Sequence, residues 1–143
     1  MVHVQRTFVV DKPIDVVVKY LSDFSNTVDW DPGTVACTRL DDGPIRVDAQ
    51  WRNVSRVLGN ETELTYELEV FEADRVKFVG KNKTATAIDD IRLRSENGET
   101  EVHYTADITF HGFAKLASPV MRLFFERLGS KVVIDMQAAV AAL

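Results

Sequence analysis

Asp89, Tyr66 and Tyr104 carry polar groups at positions that the alternation of the sequence assigns to apolar strand faces. Asp89 shares its parity with four apolar neighbours, which are Ala85, Ala87, Ile91 and Leu93. An interior carboxyl needs a hydrogen-bond donor or holds a proton, because burial raises its pKa. Such a carboxyl could orient the polar end of a ligand or move protons as a general base.

Three interpretations of Asp89 are compatible with the sequence. A β-bulge at Asp89-Asp90 would turn both carboxylates toward solvent. A structural ion pair would satisfy the carboxylate inside the protein. Arg6 is a candidate partner, because it also lies on the strand face that carries the apolar residues of its strand. A ligand-binding or catalytic role is the third interpretation.

Aromatic side chains on the same faces favour a ligand with rings or an acyl chain. Tyr66 and Tyr104 each combine an apolar ring with a hydroxyl that needs a partner, and Trp51 is expected beside them. The alternative is ordinary core packing. Small residues in the inner rows predict that part of the interior is a space, and these are Ala85, Ala87 and Ala106.

The sequence lacks the spacing of other catalytic and metal sites. His3, His103 and His111 are far apart, and no His-x-x-x-His or Cys-x-x-Cys spacing occurs, so no metal is expected. Cys37 is interpreted as a small buried residue. No nucleophile elbow, phosphate-binding glycine loop or dinucleotide fingerprint occurs. We therefore expect no cofactor and assign no catalytic residue.

The composition of the sequence limits the kinds of protein that the chain can be. The chain has 143 residues, 45% hydrophobic and 27% charged, with a net charge of −5, which predicts one domain over residues 1–143. The acidic balance argues against DNA and makes RNA or ribosome contact unfavourable, although arginines could form a local patch (Arg52, Arg56, Arg92 and Arg94). A single cysteine fits the reducing cytoplasm. No apolar run approaches the roughly 18 residues of a membrane span, so no stable membrane insertion is expected.

The elements that must position these residues form an α+β pattern. An alternating strand at the start is followed by a short helix over Pro13–Ser22. Short connections then predict successive antiparallel strands. They cover Thr34–Asp41, Arg46–Leu58, Glu61–Glu72, Arg75–Lys81, Lys83–Ser95 and Thr100–His111.

A long helix is predicted from Ser118 and Pro119 to Leu143. One apolar stripe at helical spacing should lie on the buried face of the sheet. It consists of Met121, Phe125, Leu128, Val132, Met136, Ala139 and Leu143.

Three apolar residues of this helix, Val120, Leu123 and Phe124, lie outside the stripe. Together with Phe113 and Leu116 they could form an apolar lip. Such a lip could gate ligand entry, touch a membrane or join two subunits. Alternatively, residues 113–117 pack over the three side chains.

Four motifs carry a resemblance that spans the chain. They are Asp11-Lys12-Pro13, then Leu21-Ser22-Asp23-Phe24 leading to Trp30-Asp31-Pro32-Gly33, then Leu68-Glu69-Val70-Phe71-Glu72, and the closing Pro119–Leu143 helix. In this order the chain resembles the START-like (SRPBCC) superfamily, which includes Bet v 1 allergens. The most similar members are the bacterial polyketide cyclase/dehydrase and lipid-transport group.

The resemblance implies the helix-grip fold, in which a curved antiparallel sheet of about seven strands wraps around a long C-terminal helix. One or two short helices follow the first strand. It also implies an apolar cavity between sheet and helix, with Trp30 at the mouth, and the alternative for Trp30 is a packing anchor in the core. The predicted ligand-binding set is Trp30, Trp51, Tyr66, Ala87, Asp89, Tyr104, Met121, Phe125, Leu128 and Met136.

Three functions follow as hypotheses, because fold alone does not determine function. The leading one is binding or transport of a small hydrophobic ligand, such as a lipid or polyketide, by a monomer or homodimer. The second is a cofactor-free polyketide cyclase or dehydratase that uses tyrosine hydroxyls or Asp89. The third is an interaction protein, because some relatives resemble ribosome-associated toxins or quinone chaperones.

Overall fold

The structure, a computed structural model, describes residues 1–112 and 118–143. Within these ranges the helices are α1 (Ile14–Ser22), α2 (Thr27–Trp30) and α3 (Ser118–Ala141), with a 3-10 turn at Phe24–Asn26 between the first two. The strands are β1 (Val2–Val10), β2 (Thr34–Arg39), β3 (Gln50–Val57), β4 (Asn60–Glu72), β5 (Arg75–Lys81), β6 (Ala85–Glu96) and β7 (Glu99–Phe110).

All the described strands join one antiparallel sheet in the order β1-β7-β6-β5-β4-β3-β2. Each strand from β2 to β7 pairs with the next along the chain, and β1 closes the far side against β7. Tight turns make these hairpins. Leu58-Gly59 and Asn97-Gly98 both have two successive positive φ angles, the backbone that matches the twist of paired strands. The predicted α+β helix-grip fold is confirmed.

The strand β3 starts later than the alternation of the sequence predicts. The pattern indicates a strand from Arg46, but β3 begins at Gln50. Asp48 has a φ of 76°, which interrupts extended backbone and turns the chain before it enters the sheet. Val47 is consequently 45% exposed and does not share the buried face of Trp51.

The helix α3 lies against the curved sheet and is buried mainly in its C-terminal half. Val132, Met136 and Val140 are 3% exposed or less. The predicted stripe is wrong at its end, because Val140 takes the buried position expected for Leu143. The helix stops at Ala141, and Leu143 beyond it is 45% exposed.

Contacts with β1 hold the middle of α3. At Gly129 the helix approaches β1 so closely that an added Cβ would overlap Cγ1 of Val4. Arg6 donates to the backbone oxygen of Glu126 at 3.0 Å, to its carboxylate at 3.1 Å and to Oγ of Ser130 at 3.2 Å. These bonds to the helix explain why an arginine occupies an inward-facing position of β1.

The first turns of α3 are much less buried than its end. Val120 is 61% exposed and Leu123 is 56% exposed, whereas Phe124 is partly buried with its ring edge-on to Phe125. The predicted apolar lip also includes Phe113 and Leu116. Those two residues, and the segment 113–117 as a whole, lie outside the described residues.

Candidate ligand-binding cavity

A cavity of about 380 Å³ lies between the sheet and the N-terminal half of α3. Its floor consists of the small side chains Ala85, Ala87 and Ala106 on the neighbouring strands β6 and β7. Larger side chains at these positions would reach the helix, so the alanines leave the space open. The helix covers the space with Met121, Phe125, Leu128, Gly129 and Val132.

One wall of the cavity is the ring of Tyr66, which lies against the backbone of Gly80. These residues face each other across β4 and β5. A Cβ on Gly80 would lie 2.5 Å from Cζ of Tyr66, closer than any real contact, so only glycine allows this ring position. The hydroxyl of Tyr66 makes no hydrogen bond to any residue that the structure describes. Burial is the main reason why the pKa of Tyr66 lies well above its usual value.

Asp89 and Tyr104 form a buried polar pair in the cavity wall. The Tyr104 hydroxyl donates to Oδ1 of Asp89 at 2.9 Å, and Tyr104 and Asp89 are only 6% and 8% exposed. Burial raises the pKa of Asp89 to about 7, and the negative charge of Asp31 adds to the rise. The hydrogen bond from Tyr104 opposes it, because that bond favours the ionised carboxylate.

The bulge interpretation of Asp89 is wrong. β5 and β6 keep a continuous register here, with Phe78 opposite Asp89 and Lys77 opposite Asp90. Alternation therefore sends Asp89 inward and Asp90 outward, where Asp90 accepts two hydrogen bonds from Arg75 at 2.9 and 3.0 Å.

The ion-pair interpretation with Arg6 is also wrong. The guanidinium of Arg6 is bonded to α3, and Asp89 receives its hydrogen bond from a neutral phenol. Asp89 thus forms no ion pair with any described residue, although it is 8% exposed. A ligand-binding or catalytic role remains a prediction.

Asp31 is a second acidic group in the cavity wall that the sequence interpretation missed. Its carboxylate accepts hydrogen bonds from the N–H of Gly33 and the hydroxyl of Thr34, both at 3.0 Å. Such bonds from a following N–H and hydroxyl are typical of an aspartate that begins a turn, here Asp31-Pro32-Gly33. Burial raises the pKa of Asp31, and Asp135 on α3 contributes to the rise. Only the packing of the turn after α2 against the helix brings this side chain into the cavity wall.

The cavity meets solvent at the end formed by the β3–β4 hairpin. Arg56, Asn60 and Glu61 are lining residues that are also exposed. Arg56 and Glu61 form an ion pair at 3.3 Å across the hairpin. The polar rim therefore lies at one end of the cavity, and Asp89 lies in its buried wall.

Most of the predicted site residues border the cavity. The seven that do so are Tyr66, Ala87, Asp89, Tyr104, Met121, Phe125 and Leu128. The other three, Trp30, Trp51 and Met136, are at most 1% exposed and belong to the packed core. Ligand contact by the seven stays a prediction.

The two tryptophans are held in an aromatic cluster beside the cavity. Phe24, from the turn after α1, contacts both indoles, with ring centroids 6.3 Å from Trp30 and 6.2 Å from Trp51. Trp51 donates its indole N–H to Asp23 at 3.2 Å. Trp30 is 1% exposed, so its expected place at the cavity mouth is wrong. Its edge packs on the ring of Tyr104 at 6.0 Å.

The remaining candidates from the sequence lie outside the cavity lining. His3 bonds Asp107 at 2.5 Å on the outer face, and among residues 1–112 and 118–143 no cluster of His, Cys, Asp or Glu could hold a metal ion. Cys37 is partly buried, which raises the pKa of its thiol. No helix in the described part of the chain is long and apolar enough to cross a membrane.

The four arginines of the suggested basic patch are all close to carboxylates. Arg52 lies 2.5 Å from Glu63, and Arg94 lies 3.1 Å from Glu101. Arg56 pairs with Glu61 at 3.3 Å, as described above, and Arg92 lies 3.9 Å from Asp90. Each of the four arginines therefore has an acidic side chain within 4 Å.

Comparison with known proteins agrees with this architecture. The family model for polyketide cyclase/dehydrase and lipid transport matches residues 1–143, whereas no curated protein matches the chain. TTHA0849 from Thermus thermophilus is 13% identical, with a TM-score of 0.81 over 98% of this chain and 97% of that chain. The Zhui aromatase/cyclase from Streptomyces sp. R1128 is 18% identical, with a TM-score of 0.76 over 98% of this chain and 91% of that chain.

A START superfamily protein from Mycobacterium smegmatis is 14% identical, with a TM-score of 0.71 over 98% of this chain and 94% of that chain. Identities this low show a shared fold and carry no ligand or reaction with them. The match of the family model extends over the whole sequence. The chain therefore belongs to the polyketide cyclase/dehydrase and lipid transport family.

Proposed function

We propose that the chain binds a small, mostly apolar molecule in the cavity beneath α3, with the polar end of that molecule at Asp89 and Tyr104. One observation carries the proposal: a space of about 380 Å³ with alanine and aromatic walls is bordered by a buried, hydrogen-bonded polar pair, Asp89 and Tyr104. Cavities of this size and lining are typical of small-molecule sites. The family description, which includes lipid transport, supports the same class of ligand.

Binding would be driven by the apolar walls and oriented by the polar pair. Each Å² of apolar ligand surface that leaves water contributes about 25 cal/mol before the cost of association is subtracted. Asp89 and Tyr66 would distinguish one end of the ligand from the other. Oδ2 of Asp89 and the Tyr66 hydroxyl have no hydrogen-bond partner among the described residues, and the side chains around them are mostly apolar. The single cysteine of the sequence fits a role in the cytoplasm, where thiols stay reduced.

A cavity-filling variant tests the proposal. N-phenyl-1-naphthylamine is a neutral, apolar probe whose fluorescence rises when it leaves water. We expect the native chain to enhance its emission and Ala87→Leu, which adds three carbon atoms to the floor, to weaken binding at least tenfold. Thr86→Leu is the matched control, because Thr86 is the preceding residue of β6 and faces outward toward His111. Equal probe binding by the native chain and Ala87→Leu would refute the proposal.

A second candidate function is proton transfer on a bound ketone, as in cyclase or dehydratase chemistry. The observation that favours it is the Asp89 pKa of about 7, because a general base works best when its pKa is near the working pH. Tyr104 would then hydrogen-bond the carboxyl and keep it oriented.

Hydrogen exchange measures this activity directly. We would follow the α-protons of 2-tetralone in D₂O by NMR, with the native chain and with Asp89→Asn. The second candidate predicts faster exchange with the native chain only. Equal exchange rates for the two proteins would exclude Asp89 as a base toward such ketones, and would leave the binding proposal intact.

A further inference from the structure

Away from the hairpin end, the charged groups that the described cavity walls offer a ligand are the two carboxyl groups of Asp31 and Asp89. Asp89 uses Oδ1 for Tyr104, while its Oδ2 has no hydrogen-bond partner among the described residues. The Tyr66 hydroxyl is likewise unpaired within those residues, and the Tyr66 side chain is 92% buried in the cavity wall, at 8% exposure. Asp31 adds a second carboxylate.

Basic groups are scarce in the same walls. Arg56 is the one basic residue among the described lining residues, and it lies at the exposed hairpin end in an ion pair with Glu61. Arg6, the basic residue on the inner side of β1, is bonded to Glu126 and Ser130 of α3. Among the described residues, the buried end of the cavity therefore has negative charge without a countercharge from the protein.

We propose, building on the binding function above, that the cavity selects molecules that carry a protonated amine on an apolar body and rejects carboxylates of the same shape. A ligand ammonium would supply the countercharge that Asp89 lacks. It would donate to the free Oδ2 of Asp89, and its remaining hydrogens could reach the Tyr66 hydroxyl or the Asp31 carboxylate. A ligand carboxylate would meet like charge in a site of low dielectric constant, which is unfavourable.

Three features distinguish this site from a chance cluster of acidic residues. Asp89 is 92% buried, at 8% exposure, and its side chain borders the cavity. The Tyr66 hydroxyl, which also lacks a hydrogen bond to any described residue, belongs to a side chain that borders the same cavity. The side chains around them are mostly apolar, so a cation bound there would be held away from bulk water. Ion pairs are stronger in such an environment than in water.

Protonation of Asp89 should control the binding of such an amine. The titratable groups that act on Asp89 are Tyr104, Asp31 and Asp107, while α3 presents apolar lining residues to the cavity. The ammonium prefers the ionised carboxylate. With a pKa of about 7, the ionised fraction rises about tenfold between pH 6 and pH 8, so amine affinity should rise by a similar factor.

A matched set of three ligands tests the inference by isothermal titration calorimetry at pH 8. The set is 2-naphthylmethylamine, 2-naphthalenemethanol and 2-naphthoate, which share one apolar body. We expect the amine to bind at least tenfold more tightly than the alcohol, and the carboxylate to bind more weakly than both. Asp89→Asn should reduce amine affinity to that of the alcohol. Asp90→Asn removes the same charge from the outer face of β6 and should leave all three affinities unchanged.

Three results would overturn the inference. One is a carboxylate affinity equal to or above that of the amine, and another is an amine affinity that does not change in Asp89→Asn or between pH 6 and pH 8. Failure of all three ligands to bind would also overturn it. The binding proposal is judged separately, because it depends on the neutral probe N-phenyl-1-naphthylamine and on Ala87→Leu.

Discussion

Replacement of Asp89 by Asn should make the protein more stable at neutral and alkaline pH. Asp89 is 8% exposed, has a phenol as its hydrogen-bond partner, and forms no ion pair with a described residue. Ionisation of such a buried carboxyl costs free energy in the folded state. In the unfolded chain water solvates the carboxylate, so ionisation there carries no such cost. Asparagine has the same shape, and its side-chain oxygen can still accept from Tyr104. The substitution removes only the charge.

The size of the effect follows from the pKa of Asp89, which is 3.8 ordinarily and about 7 in the fold. The difference corresponds to about 4 kcal/mol, at 1.36 kcal/mol for each pKa unit. Because the folded state holds the proton more tightly, the unfolding free energy falls as the pH rises from about 4 to about 7 and then levels off. Asp89→Asn should therefore resemble the native chain near pH 4. It should exceed its stability by up to about 4 kcal/mol at pH 8.

Urea unfolding between pH 4 and pH 9 measures this difference, with the fluorescence of Trp30 and Trp51 as the signal. Asp90→Asn is the control, because it makes the same change in net charge one residue away. That substitution removes the ion pair with Arg75 and at least one of its two hydrogen bonds, and should not stabilise the protein at any pH. A difference between native and Asp89→Asn that is the same at every pH would refute the reasoning, as would an equal gain in Asp90→Asn.

Further substitutions test the packing around the cavity and the pKa of Asp89. Gly80→Ala should lower the unfolding free energy by about 1–3 kcal/mol in urea titrations, since the new Cβ displaces the Tyr66 ring, and an unchanged midpoint would contradict this. Gly129→Ala should also destabilise, although alanine favours a helix by about 1 kcal/mol, because its Cβ overlaps Val4. Adding Val4→Ala should restore part of that loss. Tyr104→Phe removes a bond that lowers the pKa of the buried carboxyl, so carbon-13 NMR should find that pKa above about 7.

Much of the fold can be predicted from local features of the sequence. Strand alternation and turn residues act within a few positions, and for this reason the bounds of β5 are predicted without error. Asp48 shows where this fails. Its left-handed backbone is held by the surrounding chain, since its N–H bonds to the distant Leu68 oxygen at 2.9 Å, and no residue near Asp48 in the sequence indicates that bond.

The candidate site depends more on packing between distant segments. Ala87 and Asp89 could be assigned to the interior from their parity alone, because one face of a strand shares one environment. The same parity could not separate the cavity wall from the packed core. Trp51 lies opposite Tyr66 on the same inner face, and Phe24 packs on both rings, yet Tyr66 borders the cavity and Trp51 belongs to the core. The local sequence around Asp31, Asp-Pro-Gly, indicates only a turn, since the position of Asp31 in the wall arises from contact between distant segments.

The contact of Gly129 with Val4 lies where the inward face of α3 changes its surroundings. Beyond it, Val132 both borders the cavity and is buried, and Met136 and Val140 are buried in the core. Before it, Met121 and Phe125 border the cavity and are only partly buried. Under the binding function proposed above, single substitutions at Met121 or Phe125 change the wall that a ligand meets, and these positions are the starting points for redesigning its specificity.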